Sequence, residues 1–534
     1  MVLVSFSDMQ QKKWLIILIA FILIKFIFHL ISNTTWSFHR DELLYLALGD
    51  HLDWGYASVP PGIAIWSWLA QNIFGGSLFS IRLISSFFGS ATILITGLIA
   101  KELFKRIEDT PSEGSFAMVI VGLSGLVSGA FLRTSMMFQP VVFDVFYWTV
   151  LIYLFLKYIN TKEGKWLLFF GIVTGISLLN KYSIFILLAA FLPGILFTDL
   201  RKLFLEKKWY LAAGISLLIF LPNLIWQIDH SFPVLRHMSE LAATQFVHVE
   251  IKDFLLEQIM FFLPVFFIWI AGLLYIGFSD EMKAMRFFAW WYGAVLTILL
   301  FFSAKSYYSL GVYPFLIAAG AVYMERKVYL RSKLGGFSIL VVILLIGLPT
   351  IPASVPILPP NKITAYISKI KTVTGWDDIT RWENGRNDYA LPQDYADMLG
   401  WKELGEKAGQ VWQSIPDKST ASAYGDSYGH AGAMQYFGKK YGIPDVLCFN
   451  DAFAYWLPDS LDTSRFQSFI YVNDELGEDM PDFFRSIEKK FELYMPLSRQ
   501  HGDEIYLCTG PTDAFFERVG LAIKNAKNDQ LIAD

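Results

Sequence analysis

"FHRDELLYLALGDHLDWGYASVPPG", Phe38 to Gly62, follows directly on a long apolar segment. Arg40, Asp41 and Glu42 stand side by side just where that segment ends. Ionisable groups beside hydrocarbon are costly, about 2.5–3.5 kcal/mol each at a helix centre, so they need a reason. Finding the reason requires knowing what surrounds the stretch.

Upstream, Trp14 to Ile31 is apolar and ends in Ser32-Asn33-Thr34-Thr35, without a small-residue cleavage site. It reads as a retained helix. Asn33-Thr34-Thr35 also has the form of a glycosylation sequon, a pattern that arises readily by chance. Downstream, apolar runs recur as far as Ile351. Of the 534 residues, 54% are hydrophobic and only 17% charged, against roughly a quarter charged in soluble domains. Runs of about 20 residues cross a hydrocarbon core of ~30 Å as a helix. The apolar runs lie at 14–31, 80–100, 115–132, 140–157, 166–180, 183–198, 209–228, 257–278, 287–303, 308–324 and 335–351. The expectation is an α-helical polytopic membrane protein with about eleven transmembrane helices.

Basic connections alternate along the chain. Lys12-Lys13, Lys101 to Arg106, Lys157 to Lys165, Arg201 to Lys208, Lys283 with Arg286, and Arg326 to Lys333 share one parity. Cytoplasmic loops concentrate Lys and Arg, so the other connections face outward. Those are 32–79, about 131–139, the turn at Asn180-Lys181, 229–256, and Ala304 to Tyr308. Within loop 32–79, Asp41 to Asp53 reads as a short helix with one apolar side, suited to the membrane interface and ended by Gly55, Pro60, Pro61 and Gly62. Ile63 to Ile73 is too short to span.

Residues 352–534 carry 27 acidic against 18 basic side chains. An odd number of spans places them outside, as a soluble domain after a transmembrane domain of 1–351. The domain opens on "IPASVPILPPN" and mixes helix-like stretches (Pro392 to Gln413) with strand-like ones (Phe469 to Val472, Ile505 to Cys508), so a small α/β domain is expected. "YGDSYGHAG" reads as a surface loop rather than a second catalytic centre, although Asp426 and His430 would be one turn apart on a helix. Cys448 and Cys508 are the only cysteines; their spacing neither fits a metal site nor shows whether they pair.

Five further features complete the outer set. Asp144, in "MMFQPVVFDVFYWTV", lies about 6 Å into its span at ~1.5 Å per residue. Lys181 lies in "NKYS", and Lys305, Tyr307 and Tyr308 lie in "KSYYSLGVYP". Each also has a plain structural reading. Carboxylates suit the first turn of a helix, and lysines and aromatic residues, Trp54 and Tyr56 included, anchor helix ends at headgroups. Lys25 and His29 fall inside the first span and receive no role. Acids and cations at one face suit a reaction in which a hydroxyl or amine loses a proton while a phosphate departs. A lipid-linked substrate would enter such a site from the bilayer.

The motifs "RDELLY", the following "PP", "NKYS" and "KSYYSLGVYP", spread over about 1–330, resemble the family 39 glycosyltransferases. These are of the protein O-mannosyltransferase and lipid A aminoarabinose-transferase type, with the GT-C fold. The resemblance implies inverting transfer of a sugar, hexosyl or pentosyl, from a polyprenyl-phosphate donor to a protein, lipid or envelope glycan. It implies catalytic roles for Asp41, Glu42 and Asp144, with Asp41 the base. Arg40, Lys181 and Lys305 would contact phosphate, with Tyr307 and Tyr308 beside them. A divalent cation would sit on Asp41 and Asp144. Many relatives carry His or Lys before the Pro-Pro; here Ser58-Val59 stand there, which bears on that cation. The resemblance also implies a bacterial inner membrane and no nucleic-acid partner.

The rival is a transporter or flippase for an anionic lipid, which would also place cations within a bundle. A purely structural scaffold would leave no single outer charge important. The topology has a direct test. Single cysteines introduced by Asp41→Cys and Lys305→Cys are expected to react with an impermeant maleimide from the same side of the membrane.

Overall fold

The structure is a computed structural model that describes residues 12–107, 114–461, 463 and 466–531. Each of the eleven apolar runs is helical. Among the described residues, seven helices are long and apolar enough to cross a membrane: Lys13–Ser32, Leu78–Phe104, Pro140–Thr161, Lys207–Asp229, Asp280–Phe301, Ser306–Tyr329 and Lys333–Ser354. Three more qualify only as bent pairs, which makes up to ten. Lys165–Leu178, the remaining run, is a 14-residue helix. The expected eleven spans are therefore seven to ten by length and composition.

Each bend has a local cause. Ser115–Val127 and Gly129–Met136 meet at 59° because Ser128 is extended (φ −76°, ψ 122°) and breaks the ladder. Ile184–Leu196 and Asp199–Leu205 meet at 112°, just after Pro193, with Thr198 capping the second piece. Ile251–Met260 and Leu263–Phe278 meet at 71°, at Pro264. Proline removes a backbone donor and crowds the preceding turn.

Contacts divide the chain into two units. The first comprises Met1–Asn33, Arg82–Pro222 and Ala242–Ile357. Three of its buried charged side chains bond backbone groups: Lys25 donates to Phe131 O at 3.2 Å, Arg82 to Asn33 O at 2.7 Å, and Glu325 accepts from Ala117 N at 2.7 Å. Phe266–Phe278 and Tyr313–Tyr323 cross at glycines. A Cβ on Gly272 would lie 2.1 Å from Leu316 O, and one on Gly320 2.0 Å from Ile268 O. Small residues permit such backbone approach where lipid offers no hydrophobic drive.

The second unit comprises Thr34–Ile81, Asn223–Leu241 and Leu358–Asp534. The expected division at 351/352 is thus crossed: loop 34–81 and residues 223–241 belong with the tail. The reason is burial. Arg40–Asp50 does not lie in an interface with one apolar side, because Glu42 to Gly49 are buried without a break. The helix packs against Gly62–Asn72 and Tyr428–Phe437. Gly432 makes the second contact possible, since a Cβ there would meet Leu43 atoms at 2.9–3.0 Å.

The tail is α/β, as expected. Four strands, β1 (Ala421–Gly425), β2 (Ser468–Asn473), β3 (Phe484–Glu492) and β4 (Glu504–Pro511), are ordered β1-β2-β4-β3. β1 runs parallel to β2, while β4 is antiparallel to both β2 and β3, with Phe469 opposite Cys508. Phe469, Phe484 and Phe515 fill one face with Cys508. Both cysteines are free and buried. The expected helix from Pro392 to Gln413 is split into Gln393–Ala396 and Trp401–Ser414, since Gly400 takes φ +88°, a conformation glycine adopts without penalty.

The glycine crossing gives a test. Gly320→Ala is expected to destabilise the protein by about 1–3 kcal/mol through overpacking. Gly293→Ala, whose Cβ meets nothing within 4 Å, leaves it unchanged. Thermal unfolding in detergent compares the two.

Candidate active site

The Arg40–Asp50 helix starts where it does because of His39. That residue is extended (φ −71°, ψ 152°), and its Nδ1 accepts the Asp41 N–H at 3.1 Å. Glu42 reaches back to the His39 N–H at 2.8 Å. This reciprocal cap satisfies amides that a helix start leaves open. The Glu42 side chain is completely buried and holds the helix start.

Asp41 points the other way and stays partly exposed. Its Oδ1 accepts from the Tyr428 hydroxyl at 2.8 Å. Arg40 lies across Tyr428, its guanidinium carbon 5.1 Å from the ring centroid. Arg40 also approaches Asp41 Oδ1 at 3.9 Å and Glu383 Oε1 at 3.6 Å. Arg499 meets Glu383 at 2.9 Å and Asp397 at 3.4 Å, and the Arg40 N–H donates to Asp397 O. Burial opposes the Arg40 charge, yet Tyr428, Asp397, Asp41 and Glu383 together hold its pKa above the usual value. Arg40 is therefore enclosed by acids. Its contacts in the structure are those of this network.

Burial, then Asp41, push the Tyr428 phenol well above its ordinary pKa, so it stays protonated and donates. A second carboxylate lies close. Asp451 takes a left-handed backbone (φ +52°), and burial raises its pKa, with His237 and a hydrogen bond to Ser58 opposing and Asp41 adding to the rise. Ser58, which stands before the Pro-Pro, is thus engaged by an acid.

The other expected residues gather in the first unit. Ser183 Oγ donates to Asp144 Oδ2 at 2.7 Å, and Asn180 Nδ2 to Pro140 O at 3.1 Å. These bonds fasten the 180–183 turn to the start of Pro140–Thr161. Asp144 Oδ1 is buried without a hydrogen bond. Lys181, on the turn, lies over the rings of Tyr307 and Tyr308, 5.1 and 4.6 Å from their centroids. Burial lowers the Lys181 pKa, Asp144 opposes this, and Lys305 lowers it further. Lys181 on two aromatic faces, with Lys305 close enough to repel it, forms a place for an anion. The 306–312 turn is pinned by Ser306 to Glu257, and by Ser309 and Tyr313 to Gln258 at 2.6 and 2.7 Å. At Gly311 a Cβ would strike Trp148 at 2.5 Å.

So the structure groups Arg40, Asp41 and Glu42 in one unit, and Asp144, Lys181, Lys305, Tyr307 and Tyr308 in the other. Among the described residues, no three His, Cys, Asp or Glu side chains are gathered to hold a metal ion. Sequence reasoning missed Tyr428, Asp451, Glu383 and Asp397. The available signal was "YGDSYGHAG", taken for a surface loop. It is a strand–turn–helix junction: Gly425 ends β1, Ser427 caps Tyr428–Phe437, and His430 is buried on Asp503 at 2.7 Å.

Residues 58–226 match the family described as dolichyl-phosphate-mannose-protein mannosyltransferase. The chain is 22% identical over 335 residues to the lipid A galacturonosyltransferase RgtD of Rhizobium johnstonii, covering 61% of this chain and 68% of that one. It is 26% identical over 217 residues to the lipopolysaccharide core galacturonosyltransferase RgtB of the same organism, covering 40% and 42%. The crystal structure of ArnT from Cupriavidus metallidurans bound to undecaprenyl phosphate superposes with a TM-score of 0.61 at 15% identity, over 94% of this chain and 100% of ArnT. The same protein in its apo state gives 0.58. The chain thus shares its fold with ArnT over nearly its whole length, and the family match spans the segment that carries Asp144 and Lys181.

Proposed function

We propose that the chain transfers a sugar from a polyprenyl-phosphate donor to an acceptor of the cell envelope, at the outer face of a bacterial inner membrane, with inversion. The observation that carries this is the electrostatic split between the units. One presents a carboxylate, Asp41, in an acid-rich network; the other presents Lys181 on the rings of Tyr307 and Tyr308, with Lys305 near enough to repel it. Each kind of group has a use in glycosyl transfer from a phosphodiester. The acceptor hydroxyl or amine gives its proton to Asp41. Its heteroatom bonds to the anomeric carbon as the bond from that carbon to the phosphate oxygen breaks on the opposite side. The phosphate leaves with one more negative charge than it had in the donor. Lys181 and Lys305 stabilise that growing charge, and Asp144 orients Lys181. Tyr307 and Tyr308 line the same place.

The two curated relatives act, by their names, on lipid A and lipopolysaccharide core. A lipid-anchored glycan is accordingly the acceptor class we favour. The family match and the relatives favour transfer over the transport alternative.

Mass spectrometry of envelope glycans from a deletion strain is expected to show one sugar missing, restored by the wild-type gene. An Asp41→Asn copy should restore none of it, because general-base catalysis contributes about 10²–10⁴-fold. Full restoration by that copy would remove Asp41 from the chemistry. Lys181→Ala is expected to lower kcat about 10²–10³-fold, as for loss of an oxyanion donor, while Lys181→Arg retains more. Equal loss in both variants would point to packing instead of charge.

A further inference from the structure

We propose that a small polar cavity at the far end of the Arg40–Asp50 helix is an acceptor subsite: it takes one sugar ring of a lipid-anchored glycan and holds it away from the reacting group. The inference rests on the reading of the chain as a transferase acting on such a glycan, and deepens it.

The cavity, about 280 Å³, lies where Arg40–Asp50, Gly62–Asn72 and Tyr428–Phe437 meet. Ligand cavities run to roughly 300–1,000 Å³, so this one has room for a single ring. The helices around it are fixed. A Cβ on Gly49 would lie 2.4 Å from Ser67 Oγ, so Arg40–Asp50 and Gly62–Asn72 approach closely beside it. Tyr436 donates to Gly76 O at 2.7 Å and Gly76 N to Ala70 O at 3.0 Å, which ties the turn after Asn72 to the third helix.

Leu43, Leu46 and Ala47 give the cavity an apolar side, and Asp50, Gln71, Gln435 and Lys439 give it polar ones. A sugar ring is divided in the same way, into C–H faces and hydroxyl edges. Gln435 carries the argument. It is only 9% exposed and lines the cavity, yet among the described residues its side-chain amide has no hydrogen-bond partner. Buried amides are ordinarily bonded, so this one is poised for a ligand. Gln71 uses its amide nitrogen on Leu46 O at 2.9 Å and Ser67 Oγ at 3.2 Å, which leaves its carbonyl oxygen to accept. Asp50 and Lys439 stand 3.9 Å apart, too far for a direct hydrogen bond, and a hydroxyl can bridge them. Amides and hydroxyls each donate and accept, whereas an ammonium only donates and a phosphate diester only accepts. The cavity therefore matches a sugar better than a phospholipid headgroup.

The surroundings point to a lipid-anchored sugar. Ile73 and Phe74, which directly follow the Gly62–Asn72 helix, are both exposed. A polar cavity edged by exposed apolar side chains suits a molecule that carries both a glycan and acyl chains. Asp50 comes nine positions after Asp41, about 13 Å along the helix. A ring held beside Asp50 is thus not the ring that reacts.

The rival role is a polar patch that only supports the fold. Full-length protein in proteoliposomes is assayed with lipopolysaccharide extracted from the deletion strain as acceptor and the lipid-linked sugar fraction of wild-type membranes as donor. Gln435→Leu removes the amide at similar volume. The acceptor KM should rise about fivefold or more, with kcat and the donor KM changed less than about twofold, as when binding alone is lost. The unfolding temperature should stay or rise, because no partner is lost within the chain; a fall shows a structural amide and overturns the inference. Asp50→Asn should raise the acceptor KM about threefold or more. Lys440→Ala, beside Lys439 but paired with Glu406 at 2.8 Å, should change neither constant. Core oligosaccharide freed of its acyl chains should compete with lipopolysaccharide on the wild type and several-fold more weakly on Gln435→Leu; equal competition overturns the sugar as occupant. An unmoved acceptor KM in Gln435→Leu, or a rise in the donor KM instead, overturns the subsite. If that variant does not accumulate, Asp50→Asn decides in the same way. A wild type that transfers nothing to this lipopolysaccharide defeats the acceptor reading and the subsite with it, whereas transfer with the same acceptor KM in both variants defeats the subsite alone.

Discussion

Burial of the Arg40–Asp50 helix is the constraint on which the second unit depends. Eight consecutive residues, Glu42 to Gly49, are out of solvent, so the helix cannot slide or roll without exposing apolar surface. A side chain such as leucine loses about 1.5–3 kcal/mol on exposure, and this helix has three buried leucines in its first two turns, Leu43, Leu44 and Leu46. Its first turn is clamped from one side by His39 and Glu42. With the axis and the start both fixed, Asp41 has one direction available, towards Tyr428. The position of the acid follows from packing several residues away.

The two units solve opposite electrostatic problems. Around Asp41, acids outnumber cations, and the arginines Arg40 and Arg499 are paired with Glu383, Asp397 and Asp41. Around Lys181, which lies over aromatic rings, Lys305 repels and Asp144 is the counter-charge. Neither arrangement is the lowest in energy for a protein at rest, since each keeps like charges close. Such strain is common where charge must move during a reaction.

Much of this was legible in the sequence. Apolar runs announce helices, and "NKYS" and "KSYYSLGVYP" announced the residues that meet in the first unit. The β2 and β4 strands were visible in Phe469 to Val472 and Ile505 to Cys508. The reading failed where a partner is remote. The leucines at 43, 44 and 48 looked like one face of an interfacial helix because the residues that bury them, around Gly432, come far later in the chain. Tyr428 lies 387 residues from Asp41, and no local pattern links them. The pairing of Arg40 with Glu383 could not be foreseen, because Glu383 sits in a stretch with no motif. Bends were missed for another reason: hydropathy measures length and composition, and a single extended residue such as Ser128 alters neither.

The three-part composition of the second unit bears on when the protein becomes competent during its synthesis. Segments 34–81 and 223–241 are made early, yet the surface that buries Leu43 and completes the surroundings of Asp41 is not translated until Tyr428 and Gly432 emerge. Until then, the nascent chain holds a loose loop with an unshielded acid. A chain that stops before Tyr428 lacks both the helix that packs on Leu43 and the hydroxyl that bonds Asp41.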